Sequence, residues 1–204
     1  MTEAKQEILE KSTDLFLNLG FKSVTMDDIA SKLGMSKKTL YAHYNKKEKL
    51  VKDVTMGLYH SICHGIDCIC ESSSNPIKEL YDIKKMVMTS LKGDKSSPIH
   101  QLQRYYPKVH SELKSKQFDF MQECVNKNIE TGIEKGLYIP TISKEFVSRI
   151  YFVGIQGIKD MDVFPASEFP VQELHDQYLD YHLRGIVTPA GRKILNQITN
   201  KNHD

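Results

Sequence analysis

Residues 25–50 constrain the fold of this chain most, because they contain the signals for two short helices joined by a tight turn. Thr25 is placed to cap a helix over residues 26–33, with Asp28 at its third position, where a carboxylate suits the exposed amides. Gly34 suits the left-handed backbone that ends many helices. The sequence therefore predicts a short capped helix followed by a sharp turn.

A second short helix is predicted directly after this turn. Ser36 is placed to cap residues 37–44, and Asn45 followed by Glu48 predicts the capped start of a third helix. The second helix carries cationic, hydroxyl and aromatic side chains: Lys37, Lys38, Thr39, Tyr41, His43 and Tyr44. A helix, a Gly-containing turn and a short polar helix form the motif with which many proteins enter the DNA major groove. We therefore expect this segment to bind double-stranded DNA.

The same segment resembles the DNA-binding domain of the TetR family of transcriptional repressors. The matching phrases are Leu19-Gly20-Phe21, Val24-Thr25-Met26-Asp27-Asp28-Ile29-Ala30, Leu33-Gly34-Met35-Ser36, Thr39-Leu40-Tyr41-Ala42-His43-Tyr44 and Lys47-Glu48-Lys49-Leu50. The resemblance covers roughly the first 55 residues, and later only architecture and short phrases match. It implies an all-α chain with a three-helix DNA-binding domain at residues 1–50. A larger helical domain for effector binding and dimerisation would occupy residues 51–204.

Positive charge is concentrated in the predicted DNA-binding segment. The net charge of the chain is only +2, but residues 32–49 contain six lysines against Glu48 alone. Such a patch attracts phosphates. Lys37, Lys38 and Thr39 open the second helix and are expected to reach base edges. The full predicted set is Thr25, Ser36, Lys37, Lys38, Thr39, Tyr41, His43, Tyr44 and Lys47.

The other members of this set have different expected roles. Thr25, Lys47 and the hydroxyls of Tyr41 and Tyr44 are expected to hold backbone phosphates, while His43 is left open between a phosphate and a base. Leu40 is expected to face the core of the domain. The alternative for the two tyrosines is packing within that domain.

The rest of the chain is predicted to be helical. A long helix is expected from residue 48 to about residue 72, and Asn75-Pro76 to cap and open the next one. Pro107 is read as a break before a long helix over residues 110–135, which Gly136 ends. The first helix is expected to be core scaffold through Ala4, Ile8, Leu9, Leu15, Phe16 and Leu19.

Two late helices carry apolar stripes that predict a homodimer. One stripe lies in a helix expected over residues 143–161, and the other follows Pro170. Heptad-like spacing on consecutive helices suits a four-helix bundle across a twofold axis. The predicted interface residues are Val147, Tyr151, Gly154, Ile158, Val171, Leu174, Tyr178 and Tyr181. The alternative is that both stripes pack within one protomer.

An effector pocket in the larger domain is implied by the resemblance. Its expected lining is aromatic, Met and polar: Tyr59, Cys63, Met86, Tyr105, Phe118, Met121, Phe152 and Gln156. Met and aromatic residues at helical spacing also suit an ordinary core, and the identity of the effector does not follow from them.

Composition and the absence of other motifs exclude several function classes. No apolar run approaches the ~20 residues needed to cross a bilayer, and the N-terminus lacks a secretory pattern. The chain is therefore expected to be cytoplasmic, with reduced thiols. No phosphate loop, nucleophile elbow or metalloprotease pair is present, so neither an enzyme nor a cofactor is expected. A metal site at His60, Cys63 and His64, or a redox switch at Cys68 or Cys70, is the alternative to buried thiols.

The sequence thus predicts a homodimeric, TetR-like repressor that a small-molecule effector releases from a pseudo-palindromic operator. The alternative is a helical DNA-binding protein that is regulated by a protein partner instead of a ligand.

Overall fold

The computed structural model describes residues 3–92 and 96–201, and its regular structure is helical apart from one isolated β-bridge between Tyr138 and Val187. The described helices are α1 (Glu3–Leu19), α2 (Met26–Lys32), α3 (Lys37–His43), α4 (Lys47–Ser72), α5 (Pro76–Ser90), α6 (Ser96–Tyr105), α7 (Pro107–Glu134), α8 (Lys144–Gly157), α9 (Val171–Ile186) and α10 (Pro189–Lys201). The predicted all-α architecture, with an N-terminal helix-turn-helix and a helical C-terminal part, is confirmed.

The helices form two compact units. Of the described residues, 3–64 and 96–116 belong to the first unit, and 65–92 and 117–201 belong to the second. In the first, Leu102, Val109 and Leu113 of α6 and α7 share one hydrophobic core with α1–α4. This packing differs from a simple division at residue 50, and the functional boundary between residues 1–50 and 51–204 stays a prediction. No described helix combines the length and the apolarity that crossing a membrane requires.

Local signals place several helix ends where they were predicted. The Asn75 side chain accepts hydrogen bonds from the amides of Ile77 and Lys78 at 3.0 and 3.2 Å, and Pro76 opens α5. Gly136 has a φ of +67° just after α7, a conformation that side chains with a Cβ rarely adopt.

Other ends differ from the prediction. Pro107 opens α7 instead of breaking the chain before it, because a helix needs no amide donor at its first position. The helix α4 begins at Lys47, so Asn45 is not its cap. The helix α8 ends at Gly157, four residues before the predicted end.

Burial corrects one expectation about α1, and the C-terminal segment forms a separate helix, α10. Ile8 and Phe16 are fully buried, whereas Leu19 is 58% exposed and is not core scaffold; Ala4 is exposed as well. The bounds of α10 are not among the helix bounds predicted from the sequence. Thr188 accepts a hydrogen bond from the Gly191 amide at 3.2 Å, and Pro189 opens that helix.

A buried polar cluster joins α5, α7 and the loop that follows α7. The Asn128 amide donates to the Pro76 carbonyl at 2.9 Å and to Glu79 at 2.7 Å, and the Tyr138 hydroxyl donates to Asn128 at 3.1 Å. Burial raises the pKa of Glu79, while its hydrogen bond from Asn128 opposes that shift. These hydrogen bonds hold α5, α7 and the loop after α7 in one arrangement, because each buried polar group needs its partner.

We expect the second unit to lose stability in mild acid because of His182. This side chain is 9% exposed against the rings of Tyr151 and Tyr178, and burial lowers its pKa to about 4. The unfolded chain takes up a proton on this group below pH ~6.5, but the folded chain does not. The free energy of unfolding should therefore fall by roughly 2 kcal/mol between pH 8 and pH 5.

Urea unfolding of the native chain and of His182→Gln at both pH values measures this contribution. The variant should lose less stability in acid than the native chain does. An equal loss in both proteins would show that other groups cause the acid sensitivity.

Candidate nucleic-acid interface

The start of α2 is fixed by a reciprocal pair of hydrogen-bonded residues. The Asp28 amide donates to the Thr25 hydroxyl oxygen at 3.1 Å, and the Thr25 amide and hydroxyl both donate to Asp28 at 2.8 Å. The hydrogen bond from the Thr25 amide is the main cause that lowers the pKa of Asp28. Thr25 therefore has a helix-capping role whether or not it also contacts DNA, and both of its donors are engaged by Asp28.

The turn between α2 and α3 has the predicted geometry. Gly34 lies at a φ of +64°, which favours glycine over residues with a side chain. Ser36 caps α3 by accepting a hydrogen bond from the Thr39 amide at 3.1 Å, and the two hydroxyl oxygens lie 2.8 Å apart. The predicted helix, turn and helix are confirmed at these residues.

The helix α3 buries one residue and presents the others to solvent. Leu40 is fully buried in the first hydrophobic core, as predicted. Lys37, Lys38, Thr39 and Tyr41 are exposed, and His43 is half-buried. A short helix anchored on one side and polar on the other is the form in which recognition helices enter a groove.

Lys37 has a partner within the protein. Its ammonium donates to Asp27 of α2 at 2.6 Å, and that hydrogen bond raises the pKa of Lys37. The side chains of both residues are more than half exposed. An ion pair so exposed is screened by water and contributes little, so contact with a base could replace it.

The assignment of Tyr44 as a DNA contact is wrong. Tyr44 is fully buried, and its hydroxyl donates to Asp53 of α4 at 3.2 Å. Burial raises the pKa of this phenol above its usual range. Its side chain completes the core behind the recognition helix, which was the alternative considered for this residue.

Lys47 connects the start of α4 to the turn between α1 and α2. Its ammonium donates to the Phe21 carbonyl at 2.6 Å and to the Lys22 carbonyl at 3.4 Å, and it lies 5.9 Å from the Phe16 ring centroid. Partial burial lowers the pKa of Lys47. Removing this side chain would therefore disturb the turn as well as any contact with a phosphate.

The predicted dimer stripe is mostly internal to the protomer. Val147, Tyr151 and Leu174 are buried, and the Tyr178 hydroxyl bonds the Ile150 and Tyr151 carbonyls at 3.0 and 3.1 Å. A Cβ on Gly154 would lie 2.1 Å from the Tyr178 ring. The prediction that these residues form a dimer interface is therefore corrected: they pack within the protomer. Ile158 and Val171 are half-buried, and only Tyr181 is largely exposed.

A second apolar side of α8, next to the predicted stripe, faces solvent. Phe146, Ile150 and Val153 follow four-three spacing and are 65%, 44% and 58% exposed. Tyr181 of α9 is 76% exposed. We call these four residues the α8–α9 apolar face. Sequence periodicity does not separate its three α8 members from the inward stripe, because both sides of that helix are apolar.

The eight predicted effector residues do not belong to one packing unit. Tyr59, Cys63 and Tyr105 belong to the first unit, and the other five belong to the second. Within the second unit, Phe118 and Phe152 make an edge-to-face contact at 5.2 Å, and the Arg149 guanidinium lies 5.5 Å from the Phe118 ring centroid. The role of these residues in binding an effector stays a prediction.

The second unit also has an open groove between α5, α9 and α10. Its volume is about 760 Å³, and its lining includes Tyr81, Lys84, Lys85, Asp176 and Gln197. None of the predicted effector residues lines it. Lys78 and Lys85, seven positions apart and therefore on one side of α5, are the sequence signal for a polar face here.

The cysteines show no metal-binding arrangement. All four lie in the described part of the chain, and none forms a disulfide. Over residues 3–92 and 96–201, no group of three His, Cys, Asp or Glu side chains could hold a metal ion. Burial raises the pKa of the Cys70 thiol to about 11, which keeps it protonated and unreactive.

The chain is similar to known bacterial regulators of transcription. Residues 8–54 match the family of bacterial regulatory proteins described as the tetR family. An uncharacterised HTH-type transcriptional regulator of Bacillus subtilis, YvaF, is 47% identical over 186 residues, which cover 89% of this chain and 94% of YvaF. The HTH-type transcriptional repressor KstR2 of Mycolicibacterium smegmatis is 22% identical over 93% of each chain.

A solved structure agrees with the fold. A putative transcriptional regulator of Saccharomonospora viridis, solved in complex with choline, has a TM-score of 0.77 over 92% of this chain and all of its own, at 18% identity. Members of the TetR family regulate transcription and are not enzymes. The chain belongs to the TetR family of DNA-binding transcriptional regulators.

Proposed function

We propose that this protein is a cytoplasmic homodimeric repressor that binds a pseudo-palindromic operator and is released from it by a small-molecule effector. The observation that carries the proposal is the exposed polar side of α3, which the Ser36 cap and the buried Leu40 hold in place. The similarity to KstR2, which is named a repressor, supports repression as the sign of regulation.

Selection from a random-sequence duplex library tests this proposal. A dimer with two recognition helices should enrich inverted repeats whose half-sites are ~10 base pairs, or a multiple of that spacing, apart. Enrichment of a single unrepeated site would contradict a dimeric reader, and no enrichment at all would contradict sequence-specific binding.

The exposed side chains of α3 are expected to differ in what they contact on DNA, some reaching bases and others phosphates. Lys37, Lys38 and Thr39 lie in its first turn, the end that enters the groove in helix-turn-helix proteins. A lysine can donate to guanine acceptors, and the threonine methyl can pack against thymine. We assign Tyr41, Lys47 and the Thr25 hydroxyl to the phosphate backbone, where they fix the register of the protein; the Thr25 hydroxyl would exchange its bond to Asp28 for one to a phosphate oxygen. His43 stays open between a phosphate and a base.

Removing a base contact should relax sequence preference at a defined position. We expect Lys37→Ala and Thr39→Ala each to weaken binding to the selected operator by roughly tenfold, with little change on random DNA. Neither side chain supports the core, and the Ser36 cap uses the backbone amide of residue 39, so the fold should persist.

Fluorescence anisotropy with operator and random duplexes gives both affinities. Lys11→Ala, at an exposed lysine of α1, is the control for loss of one positive charge. An equal loss on the two duplexes for Lys37→Ala and Thr39→Ala would reject the assignment of base contacts.

The α8–α9 apolar face supports association with a second copy of the chain. Its four large side chains are exposed, and an apolar stripe of this kind on two adjacent helices pairs naturally across a twofold axis. Two half-sites in one operator also require two recognition helices. We therefore propose that Phe146, Ile150, Val153 and Tyr181 form the interface, and not the internal stripe.

An aromatic cluster in the second unit supports a small-molecule effector. Phe118 and Phe152 meet edge to face, with the Arg149 guanidinium against the Phe118 ring. Aromatic side chains with a few polar groups are typical of ligand sites. The Saccharomonospora viridis regulator, of similar fold, was solved in complex with choline, which supports the same kind of role here.

Release from DNA separates this proposal from regulation by a protein partner. Small molecules that raise the melting temperature of the protein should also dissociate it from operator DNA, provided that they bind the DNA-incompetent state more tightly. A library screen in which no compound changes melting or DNA binding would favour the protein-partner alternative.

A further inference from the structure

We propose that α6 and α7 add a second phosphate-binding surface beside the recognition helix, so that the protein grips the DNA backbone with residues outside its helix-turn-helix. This inference rests on the proposed DNA-binding function. The surface, which we call the basic corner, comprises Lys22, Lys46, Lys49, Arg104 and Lys108. All five side chains are exposed.

The corner between α6 and α7 is packed onto the DNA-binding helices. The Gln101 side chain accepts a hydrogen bond from the Lys22 amide at 2.8 Å, and the rings of Phe21 and Tyr106 meet at 6.4 Å. Leu102 and Val109 belong to the same hydrophobic core as Leu40 of α3. Because one core holds these elements, the cations of the corner have defined positions relative to α3.

Two cations gather around one exposed ring at the end of α6. The Lys22 ammonium lies 5.0 Å from the Tyr105 ring centroid, and the Arg104 guanidinium carbon lies 5.8 Å from it. A hydrogen bond with Lys22 lowers the pKa of Tyr105. Within residues 3–92 and 96–201, neither cation forms an ion pair with a carboxylate. An arriving anion would therefore relieve repulsion between them without breaking an ion pair.

A concave site lies next to the starts of α4 and α7. Its volume is about 320 Å³, which is ample for a phosphate group, and its lining includes Lys46, Lys49 and Lys108. A fourth lysine there, Lys52, is paired with Glu112 at 2.7 Å. Glu48 is the remaining acid in the lining, so positive charge prevails. The first amides of α4, from residue 47, and of α7, from residue 108 because Pro107 has no N–H, add partial positive charge nearby.

The basic corner adjoins the residues already assigned to phosphates. Lys47 follows Lys46 in the chain, and its ammonium bonds the carbonyls of Phe21 and Lys22 in the α1–α2 turn. Thr25, the α2 cap, follows Lys22 by three residues. A DNA backbone held at Thr25 and Lys47 would have these cations near it, and closely spaced phosphates attract such a concentration of positive charge. Arg104 and Lys108 lie outside residues 8–54, the part that matches the family.

Salt dependence of DNA binding tests the proposal directly. Each phosphate contact that is lost should reduce the slope of log affinity against log salt by about 0.9. The double variant Arg104→Gln/Lys108→Gln should therefore lower the slope by about 1.8 and weaken binding roughly tenfold or more at 0.15 M salt. The loss should be equal on a selected operator and on a random duplex of the same length, because phosphates carry no sequence information.

Matched variants separate a local contact from total charge. Lys85→Gln/Lys193→Gln removes the same charge at two exposed lysines of the second unit and should leave the slope unchanged. Arg104→Lys/Lys108→Arg keeps the charge and should retain the native slope.

The possible results distinguish failure of this inference from failure of the proposed function. A folded Gln double variant with the native slope, or a Lys85/Lys193 control with an equal loss, would overturn the basic corner while leaving specific DNA binding intact. If the Gln double variant does not fold, the single variants Arg104→Gln and Lys108→Gln should each lower the slope by about 0.9, and native slopes in both would overturn the corner. A native protein that binds neither duplex, even at low salt, would contradict both.

Discussion

Val153→Glu should convert the protein to a monomer and weaken its binding to the operator by roughly 100-fold or more. Val153 belongs to the α8–α9 apolar face and is 58% exposed. Across a twofold interface one substitution places two carboxylates in an apolar contact, and burying unpaired charges there is strongly unfavourable. Operator affinity falls because the second half-site is no longer held by the same molecule.

Sedimentation velocity gives the mass, and anisotropy gives the affinity. Circular dichroism should match that of the native chain, because the side chain lies outside the protomer core. Asn196→Glu, on the exposed side of α10, is the control for added negative charge and should remain dimeric. A native dimer that Val153→Glu does not dissociate would place the interface elsewhere on the molecule.

Gly132→Ala should destabilise the second unit by about 3 kcal/mol or more. A Cβ at this position of α7 would lie 2.0 Å from the Tyr138 ring. Tyr138 cannot easily move aside, because it is fully buried and its hydroxyl donates to Asn128 in the buried polar cluster. The extra methyl group therefore pushes α7 and the loop that carries Tyr138 away from each other.

Gly57→Ala is the matched control within another long helix. Apart from the adjacent backbone of α4 itself and the two neighbouring residues, no atom lies within 4 Å of a Cβ built there, so alanine should stabilise α4 by up to ~1 kcal/mol. Urea unfolding of the two variants should therefore give shifts of opposite sign. A Gly132→Ala protein as stable as the native chain would show that Tyr138 has room to repack.

Short-range signals in the sequence predicted most of the local structure. Thr25, Ser36 and Asn75 cap helices through hydrogen bonds to amides two or three residues away, so neighbouring residues suffice to identify them. Gly34 and Gly136 adopt the left-handed backbone for the same local reason. Thr188-Pro189 is a local signal of the same kind, and it marks the start of α10.

Predictions failed where packing between distant segments decides the outcome. Tyr44 looks like a member of the polar set on α3, but Asp53 and the core formed with α1 and α4 determine its position. On α8 both neighbouring stripes are apolar, and periodicity alone does not say which one the protomer covers. Contact with Tyr178 shows that Gly154 faces inward, whereas Val153 faces solvent.

The candidate DNA site was predictable in identity but not in its internal pairing. Lys37 and Tyr41 are exposed, as a recognition helix requires. The partner of Lys37, Asp27, lies on the preceding helix. Lys47 bonds two carbonyls of the α1–α2 turn, more than twenty positions away in sequence. The basic corner was out of reach for the same reason, because α6 and α7 are separated from α4 along the chain.

Anisotropy with DNA that flanks the protein's own gene tests the central claim, sequence-specific DNA binding, most directly. The native chain is titrated against that duplex and a shuffled duplex of equal composition at two salt concentrations. We predict a Kd of roughly 10⁻⁸ M or tighter for the native duplex near physiological salt, and far weaker, steeply salt-dependent binding to the shuffled one. No binding to either duplex, even at low salt, would contradict the account.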